Sequence, residues 1–442
     1  RKAFTYNSSR FSFCCEGLLP IWVGGVSFFL SAFVRKSLHW SAKQGVMGSL
    51  RFDYDIIVHG GGLAGSSLAL ALGRAGWRVL LIEPNPPTSE PIQDLDQWQA
   101  RIYAFAPRPW GWLAGLQVSV PVHRFQPVTR MVVKGDAAGR IVFAADEVPL
   151  PYLAVIAEAE TVRSALWTAL QACATVDCVT EAGASLCACA VDWHGVTVTA
   201  HDGRNWRTRL LVGAEGRRSW VRHVAGIRAE IHPYHHHAVV ANFETEKGHD
   251  QTAFQWFRED GVLAYLPLPG NRVSIVWSTS QPHAEALLAM NAATLASTVA
   301  EAGERVLGRF SLRTPPQAFP LSLLRCARVV GKRTVVIGDA AHGIHPLSGH
   351  GINLGFNDAA ELAALLGSPE SGKDPGDPVL LARYERRRFE EPFLLQTVTD
   401  ALAKGFAWDN PLLRWTRNCG MSLVDHLPFV KRRLVRYATL AQ

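Results

Sequence analysis

Apolar and polar positions follow the clearest pattern in residues 54–84, where they predict a strand, a helix and a second strand. The run DIIVHG is short and mostly apolar, as buried strands are. LAGSSLALALGRAG places apolar residues at helical spacing and ends at Gly76, which suits the end of a helix. RVLLIEP then returns to a β-like pattern. This order of elements begins a parallel, doubly wound α/β sheet.

The turn between the first strand and the helix reads GGGLAG, a complete G-x-G-x-x-G motif. Gly60, Gly62 and Gly65 let the backbone approach a pyrophosphate, whose charge the helix N-terminus stabilises. Glu83 ends the second strand about twenty residues on, where an acid can accept hydrogen bonds from an adenosine ribose. No basic residue follows Glu83 to hold a 2′-phosphate, so the motif predicts FAD or NAD rather than NADP.

Farther along, turns and alternating positions predict a second, antiparallel sheet. A hairpin is expected around Gly135–Gly139, and residues 251–279 are expected to form strands with turns at Asp260-Gly261 and Pro269-Gly270. ETVRSALWTALQAC has a helical pattern, and the chain turns helical again from Leu380. We interpret the sheet as a second domain that is inserted into the first.

The chain has 442 residues, 48% of them hydrophobic, which suffices for more than one domain and a large core. The formal net charge is +7, and basic residues are concentrated late, in YERRRFEEP and LPFVKRRLVRYATL. We interpret the second run as a basic amphipathic helix, either a solvated face or a surface for a membrane or a partner. No nucleic-acid-binding motif accompanies it, so no nucleic-acid partner is expected.

Cysteines and histidines indicate neither zinc nor a disulfide framework. None of the eight cysteines belongs to a pair of CxxC motifs at zinc spacing, and scattered cysteines suit a reducing compartment. HPYHHHAVV at residues 232–240 could ligate a metal, but it leads into a β-like run. We therefore expect no metal.

Residues 1–46 are expected to lie outside the fold. Leu18–Val34 is apolar but interrupted by Pro20 and Gly24-Gly25, and it is at the short limit for a membrane span. Basic, serine-rich flanks also resemble a transit peptide. A third interpretation, which we favour, is that the chain starts at Met47 and the upstream residues are translated leader.

Two later stretches repeat the strand–turn–helix signal. In LLVGAEGRRSWVRHVAG a strand ends at Gly213 and is followed by Glu215 and three arginines, although a solvated basic helix would read the same way. In GDAAHGIHPLSGHGINLG a buried strand ends at Gly338-Asp339, where ligands of open α/β sheets bind. Glycines then lead into a helix whose N–H groups favour negative charge. We hypothesise that glycines keep the N-terminal end of this helix free of side chains so that a flat, reduced flavin ring can lie on it.

The order of the three motifs resembles the class A FAD-dependent aromatic hydroxylases, and within them most of all the ubiquinone-biosynthesis hydroxylases of the UbiH/UbiF/VisC group. The resemblance runs from about Tyr54 to Leu440. It implies an α/β fold with a Rossmann-like FAD-binding domain of the glutathione-reductase-like, p-hydroxybenzoate-hydroxylase type. An inserted mixed or antiparallel β-sheet substrate domain and C-terminal helices complete it. The expected bounds are 53–121, 151–230 and 326–370 for the FAD-binding domain, 122–150 and 231–325 for the substrate domain, and 371–442 for the helices.

The same resemblance assigns roles to individual residues. His345, Pro346 and His350 are expected on the catalytic side of the flavin, with a structural role for His345 equally open. Two positions depart from the family pattern, because Glu215 replaces the usual Asp and His350 the usual Gln. The expected cofactor-binding residues are Gly60, Gly62, Leu63, Ala64, Gly65, Glu83, Arg101, Glu215, Gly338, Asp339, Gly349, Gly351, Ile352 and Asn353.

The chemistry implied by the resemblance is hydroxylation of an aromatic ring with NADH or NADPH and O2, by way of a flavin C4a-hydroperoxide. The expected substrate is a polyprenylated phenol or quinone precursor in a dry pocket, for which AFQWF and VLAYLPL can supply side chains. Other quinone-biosynthesis proteins and a membrane surface are candidate partners, and a bacterial cytoplasmic location at the inner membrane is expected. Two alternatives stay open: a flavoprotein oxidase or dehydrogenase, and a non-catalytic flavin-binding assembly factor.

Overall fold

The computed structural model describes residues 51–87, 97–344, 351–407, 418, 421 and 423–438. The helices are α1 (Leu63–Arg74), α2 (Pro107–Gly115), α3 (Ala159–Gln171), α4 (Trp220–Val224), α5 (Gln281–Ala289), α6 (Ala292–Ala302), α7 (Gly351–Leu366), α8 (Pro378–Arg387), α9 (Glu390–Ala407) and α10 (Pro428–Ala438). The strands are β1 (Tyr54–His59), β2 (Val79–Ile82), β3 (Ile102–Phe105), β4 (Phe125–Val128), β5 (Arg130–Lys134), β6 (Arg140–Ala144), β7 (Ala154–Glu158), β8 (Val176–Val179), β9 (Leu186–Val191), β10 (Val196–Ala200), β11 (Asn205–Gly213), β12 (Ala229–Thr245), β13 (Thr252–Arg258), β14 (Gly261–Leu268), β15 (Arg272–Ser280), β16 (Phe310–Leu312), β17 (Gln317–Cys326), β18 (Val330–Gly331), β19 (Thr334–Val336) and β20 (His342–Gly343).

The first sheet is built around β1 and is mostly parallel. Its order is β18-β19-β11-β1-β2-β8, and β10 and β9 extend it antiparallel from β11. The pairs β1–β2, β1–β11, β2–β8 and β11–β19 are all parallel. The carboxyl ends of β1, β2, β11 and β19 therefore lie along one edge, where all three sequence motifs begin. The predicted α/β fold is confirmed.

The central strands are apolar on both faces because helices cover them. All four residues of β2 are buried, and Ile56, Ile57 and Val58 of β1 have no exposed surface. Helix α1 packs against both α3 and α7 beside this sheet. A parallel strand that is buried on both faces has a continuous run of apolar residues. This run is the pattern that predicts β1 and β2 from the sequence.

The second sheet is largely antiparallel and carries α5 and α6 on one face. Its order is β20-β17-β12-β15-β14-β13-β5-β6, with β16 beside β12 and a parallel pair of β5 with β13. The predicted hairpins are present, since Gly135 donates to the Gly139 carbonyl at 2.7 Å and β13, β14 and β15 are joined at the two predicted turns.

Alternation along β13 and β14 divides their apolar residues between two faces. Trp256, Leu263 and Tyr265 belong to the core formed with α5 and α6, and the Trp256 and Tyr265 rings lie 4.7 Å apart. Ala253 and Leu268 instead join a smaller apolar cluster next to the three-stranded sheet β3-β7-β4. AFQWF and VLAYLPL therefore have fewer residues on the side facing β3-β7-β4 than their composition suggests.

The C-terminal helices lie on both sheets. The carboxylate of Asp425, just before α10, accepts a hydrogen bond from the Val142 N–H at 3.0 Å, and Lys431 pairs with Glu147 at 2.7 Å. These contacts attach α10 to the β5–β6 hairpin. Within the described residues, every helix is too short or too polar to cross a bilayer.

Helices α1 and α7 meet the turn after β19 with almost no side chain between them. Gly338 has a φ of +60°, which favours glycine. A Cβ added at Gly355 would lie 3.2 Å from the Gly338 Cα and 3.2 Å from the Ala64 Cβ. This three-way approach sets the spacing between the first and third motifs.

Replacing Gly355 with valine is expected to push α7 away from α1. Overpacking of a tight contact costs about 1–3 kcal/mol, so the free energy of unfolding should fall by that amount. Urea unfolding followed by circular dichroism measures it. Gly111→Ala is the matched control, since a Cβ at Gly111 in α2 meets nothing within 4 Å. Equal stability of both variants and the wild type would contradict the close approach.

Candidate active site

The first motif forms a loop in which glycine is required by sterics. Gly60 has a φ of +106°, and a Cβ there would lie 2.5 Å from the carbonyl of Ala214 in the second motif. A Cβ on Gly65 would lie 1.9 Å from the Gly60 oxygen. By contrast, a Cβ on Gly62 would meet nothing within 4 Å. The Gly62 position therefore opens onto free space, as the contact surface for a pyrophosphate requires.

Helix α1 starts from this loop at Leu63. No side chain caps its N-terminal end in the described structure, so the N–H groups of its first turn, Ala64 included, are directed at the loop. Glu83 lies beside them, because the Gly61 N–H donates to its Oε2 at 2.6 Å. The Glu83 Oε1 accepts from the Asn85 N–H at 2.8 Å. Helix end, glycine loop and acid thus form the arrangement that holds the ADP half of a dinucleotide.

Arg163 of α3 also reaches this loop, although no motif or spacing in the sequence predicts this contact. Its Nε donates to the Gly61 carbonyl at 3.4 Å, and its Nη2 lies 3.9 Å from the Glu83 Oε1. The sequence near Glu83 contains no such cation. Only the packing of α3 against α1 brings it there, so local spacing could not have predicted it.

Arg101 and Asp339, far apart in the sequence, converge beside β3. The Arg101 guanidinium lies 5.3 Å from the centre of the Tyr103 ring. Asp339 has an exposed side chain, yet the protein around it desolvates the carboxyl group and raises its pKa above the usual value. The charges of Arg217, Arg101 and His342 oppose that shift. Both predicted cofactor residues therefore lie close enough for the charge of Arg101 to act on Asp339.

The arginines of the second motif tie it to the third. Arg222 is buried and donates to the Ala340 carbonyl at 2.9 Å and to the Arg217 carbonyl at 2.7 Å. Arg217 donates to the Ser322 carbonyl at 2.7 Å. The bond from Arg222 to Ala340 holds the turn around Gly338-Asp339, and the bond from Arg217 joins the second motif to β17.

Glu215 is engaged with the protein on both oxygens. Its Oε2 accepts from the Ser219 hydroxyl at 2.6 Å, and its Oε1 accepts from the Val221 N–H at 2.9 Å. The Oε1 also lies 3.1 Å from the His59 Nδ1. Burial on its own would raise the pKa of Glu215, but these partners outweigh burial and lower it. The contact with cofactor or NAD(P)H expected from the sequence stays a prediction.

The third motif opens α7 at Gly351, where a Cβ would find its nearest neighbour 3.8 Å away, on Ile344. Ile352 packs on the apolar core. The Asn353 side chain joins α7 to the end of β3, since it accepts from the Ala106 N–H at 2.8 Å and donates to the Ala104 carbonyl at 2.9 Å. The remaining predicted residues, His345, Pro346, Gly349 and His350, lie outside the described residues.

Comparison with known proteins identifies the family. A family model described as an FAD binding domain matches residues 146–397. Ubiquinone hydroxylase UbiL of Rhodospirillum rubrum is 33% identical over 406 residues, which cover 90% of this chain and 92% of that protein. The 3-demethoxyubiquinol 3-hydroxylase of Escherichia coli is 32% identical over 87% of this chain and 98% of that protein. The chain belongs to the ubiquinone-biosynthesis group of FAD-dependent aromatic hydroxylases.

A solved structure supports the fold of this hydroxylase independently. The crystal structure of pqsL, a probable FAD-dependent monooxygenase from Pseudomonas aeruginosa, matches with a TM-score of 0.68 and 23% identity over 83% of this chain and 99% of that chain. The cofactor of the hydroxylase is FAD, and NADH or NADPH is the transient electron donor. Among the described residues, no group of three or more His, Cys, Asp or Glu side chains could hold a metal ion.

The residues of the hydroxylase fit FAD on structural grounds. The open Gly62 position leaves room for a ligand at the N-terminal end of α1, and the carboxylates of Glu83 and Asp339 are acceptors of the kind that ribose and ribityl hydroxyls would need. Bound FAD supplies the redox and oxygen chemistry, whereas the protein binds and orients it and keeps water away.

Two alanine substitutions distinguish glycines that the loop needs for its own backbone geometry from a glycine that contacts the cofactor. Gly62→Ala should leave the free energy of unfolding of the apoprotein unchanged, because its Cβ meets no protein atom. It should weaken FAD binding at least roughly tenfold, since a methyl group intrudes on the pyrophosphate. Titration of FAD fluorescence measures the affinity.

Gly65→Ala is the matched comparison. It should lower both the free energy of unfolding of the apoprotein and the affinity for FAD, because its Cβ overlaps the Gly60 carbonyl. Unchanged FAD affinity in Gly62→Ala would contradict the placement of the pyrophosphate at this loop.

Proposed function

We propose that this hydroxylase adds one oxygen atom to the ring of a polyprenylated phenol or quinone precursor in ubiquinone biosynthesis. The observation that carries the proposal is the likeness of almost the whole chain to proteins named ubiquinone hydroxylase and 3-demethoxyubiquinol 3-hydroxylase. We place the pocket for such a substrate beside the apolar cluster between the second sheet and β3-β7-β4, which includes Ala253, Leu266 and Leu268.

In this proposal each motif has a separate task. The loop from Gly60 to Gly65 and Glu83 hold the ADP half of FAD. Arg101 and Asp339 hold the middle of the cofactor, and Gly351–Asn353 lie against the flavin ring. His345, Pro346 and His350 line the side of the ring where the phenol binds. Residues 122–150 and 231–325 act as the substrate domain.

Turnover by the full chain tests this function. Consumption of NADH or NADPH by the FAD-loaded protein should rise when a prenylated phenol is added, and mass spectrometry should find product with one added oxygen atom. The matched control substrate is the corresponding prenylated cyclohexanol, whose saturated ring offers no electron-rich carbon. Flavin reduction and reoxidation without any oxygenated product would instead favour an oxidase.

We also propose that α9 places the enzyme on an anionic membrane surface, at the cytoplasmic face of a bacterial inner membrane. Four apolar side chains on and just before α9 share its outer face and are 62%, 52%, 46% and 43% exposed: Phe389, Phe393, Leu394 and Val398. The two phenylalanine rings stack at 5.7 Å. Exposed Arg383 and Arg386 of α8 precede this stripe, so apolar insertion and attraction to anionic headgroups would act together.

Sedimentation with lipid vesicles tests the proposed docking. The protein should bind phosphatidylglycerol vesicles more tightly than phosphatidylcholine vesicles. Substituting both Phe393 and Leu394 with serine should weaken binding roughly tenfold or more, given about 1.5–3 kcal/mol per buried side chain. Val122→Ser, at another exposed apolar position (79%), is the control and should bind as the wild type does. Equal binding by all three proteins would rule out the α9 stripe as the docking face.

A further inference from the structure

Asp358 of α7 carries a carboxylate with no exposed surface. It lies about two helical turns after Gly351, where α7 meets the proposed flavin position. A buried carboxylate is costly unless charges and hydrogen bonds compensate it. Its partners therefore show what the protein gains from placing a charge inside this helix contact.

Three partners reach Asp358 from three different segments. The Gly338 N–H donates to Oδ2 at 2.9 Å, and the His342 Nε2 lies 3.2 Å from the same oxygen. The Arg388 Nε donates to Oδ1 at 2.7 Å. Burial alone would raise the pKa of Asp358, but these partners outweigh burial and lower it, so the carboxylate is ionised. Both oxygens are thus used to hold other parts of the chain.

A second layer of contacts connects this cluster to α9. Arg388 also pairs with Glu391, which in turn accepts from the Asn357 Nδ2 at 2.8 Å. Five residues farther on, Gln396 donates to the Leu324 carbonyl at 2.8 Å and to the Gly343 carbonyl at 3.2 Å. The inner face of α9 is therefore bonded to β20, which lies within the third motif, and to its neighbour β17.

The cluster acts on the backbone that carries the cofactor residues. Gly338 directly precedes Asp339, so the bond from its N–H to Asp358 limits where the Asp339 carboxyl can lie. The same carboxylate is fixed in α7, whose first turn begins at Gly351. A displacement of about 1 Å between a cofactor contact and its target is enough to lower activity strongly.

We propose that Asp358, His342 and Arg388 are positioning residues for FAD. They fix the Gly338-Asp339 turn relative to the N-terminal end of α7, and through Arg388 they make the α8–α9 junction part of the cofactor site. The proposal rests on the assignment of Asp339 and Gly351 to FAD, and it does not depend on which phenol is hydroxylated.

Asp358→Asn in the full chain tests the positioning role. The amide has nearly the same shape but removes the negative charge that the Arg388 guanidinium and the His342 ring face. We expect the dissociation constant for FAD to rise roughly tenfold or more, because charge-assisted hydrogen bonds are lost. The midpoint potential of the bound flavin should also shift. Fluorescence titration and redox titration measure the two quantities, and both are made without any substrate.

Asp374→Asn is the matched control for a merely structural ion pair. Asp374 pairs with Arg333 at 2.7 Å, and Arg333 lies at the start of β19, the end opposite Gly338. This variant should lose stability but keep the FAD affinity and potential of the wild type. If Asp358→Asn changed affinity and potential no more than Asp374→Asn does, the positioning role would be overturned.

Arg388→Lys covers the case in which Asp358→Asn does not fold. Lysine keeps the positive charge but cannot offer the planar guanidinium to both Asp358 and Glu391. We expect a folded protein with weaker FAD binding and a shifted potential, whereas wild-type values for both would refute the proposal. Failure of the wild type to hydroxylate a prenylated phenol would bear on the proposed function alone, since FAD binding and potential are read separately.

Discussion

The whole site depends on close contacts between backbone segments, which glycines allow because no side chain lies between them. Gly60 lies against Ala214, Gly65 against the Gly60 carbonyl, and Gly338 against Gly355. These contacts are available because β1, β11 and β19 are parallel neighbours and end along the same edge. The three motifs consequently form one surface, although they are distant in the chain. Backbone atoms make up most of this surface, and side chains lie at its edge.

Buried charge supports that surface from behind. Asp358 and Arg388 anchor the turn of the third motif, and Arg124 and Glu158 form a second buried pair at 2.7 Å. Glu158 also accepts from the Gln99 N–H at 2.7 Å, two residues before Arg101. Removing one member of such a pair costs far more than the pair itself contributes. Each pair therefore fixes the position of a segment that carries a predicted cofactor residue.

Much of the fold could be predicted from the sequence, because its strongest signals are local. The G-x-G-x-x-G turn, the buried runs of β1 and β2 and the turns at Asp260-Gly261 and Pro269-Gly270 all depend on residues within a few positions of each other. The fold class and the flavin cofactor followed from these signals and from the order of the motifs.

Contacts made by packing could not be predicted in the same way. Arg163 reaches Glu83 only through the packing of α3, and Arg388 reaches Asp358 only once α8 is in place. The direction in which a side chain points could not be predicted from composition either. AFQWF reads as pocket lining by composition, yet the period of two sends Trp256 into the core beside α5 and α6. The partners of Glu215, namely Ser219, Val221 and His59, were equally absent from the sequence pattern, and its contact with the cofactor stays a prediction.

The position of Arg388 and Gln396 in the chain also affects how the protein is made. A ribosome releases the N-terminal glycine loop first and these two residues only after β19 and α7 have been synthesised. The bonds from Arg388 to Asp358 and from Gln396 to Gly343 can form only at that late stage. A chain that ends before α8 therefore lacks the bonds that fix the Gly338-Asp339 turn and the Gly343 carbonyl.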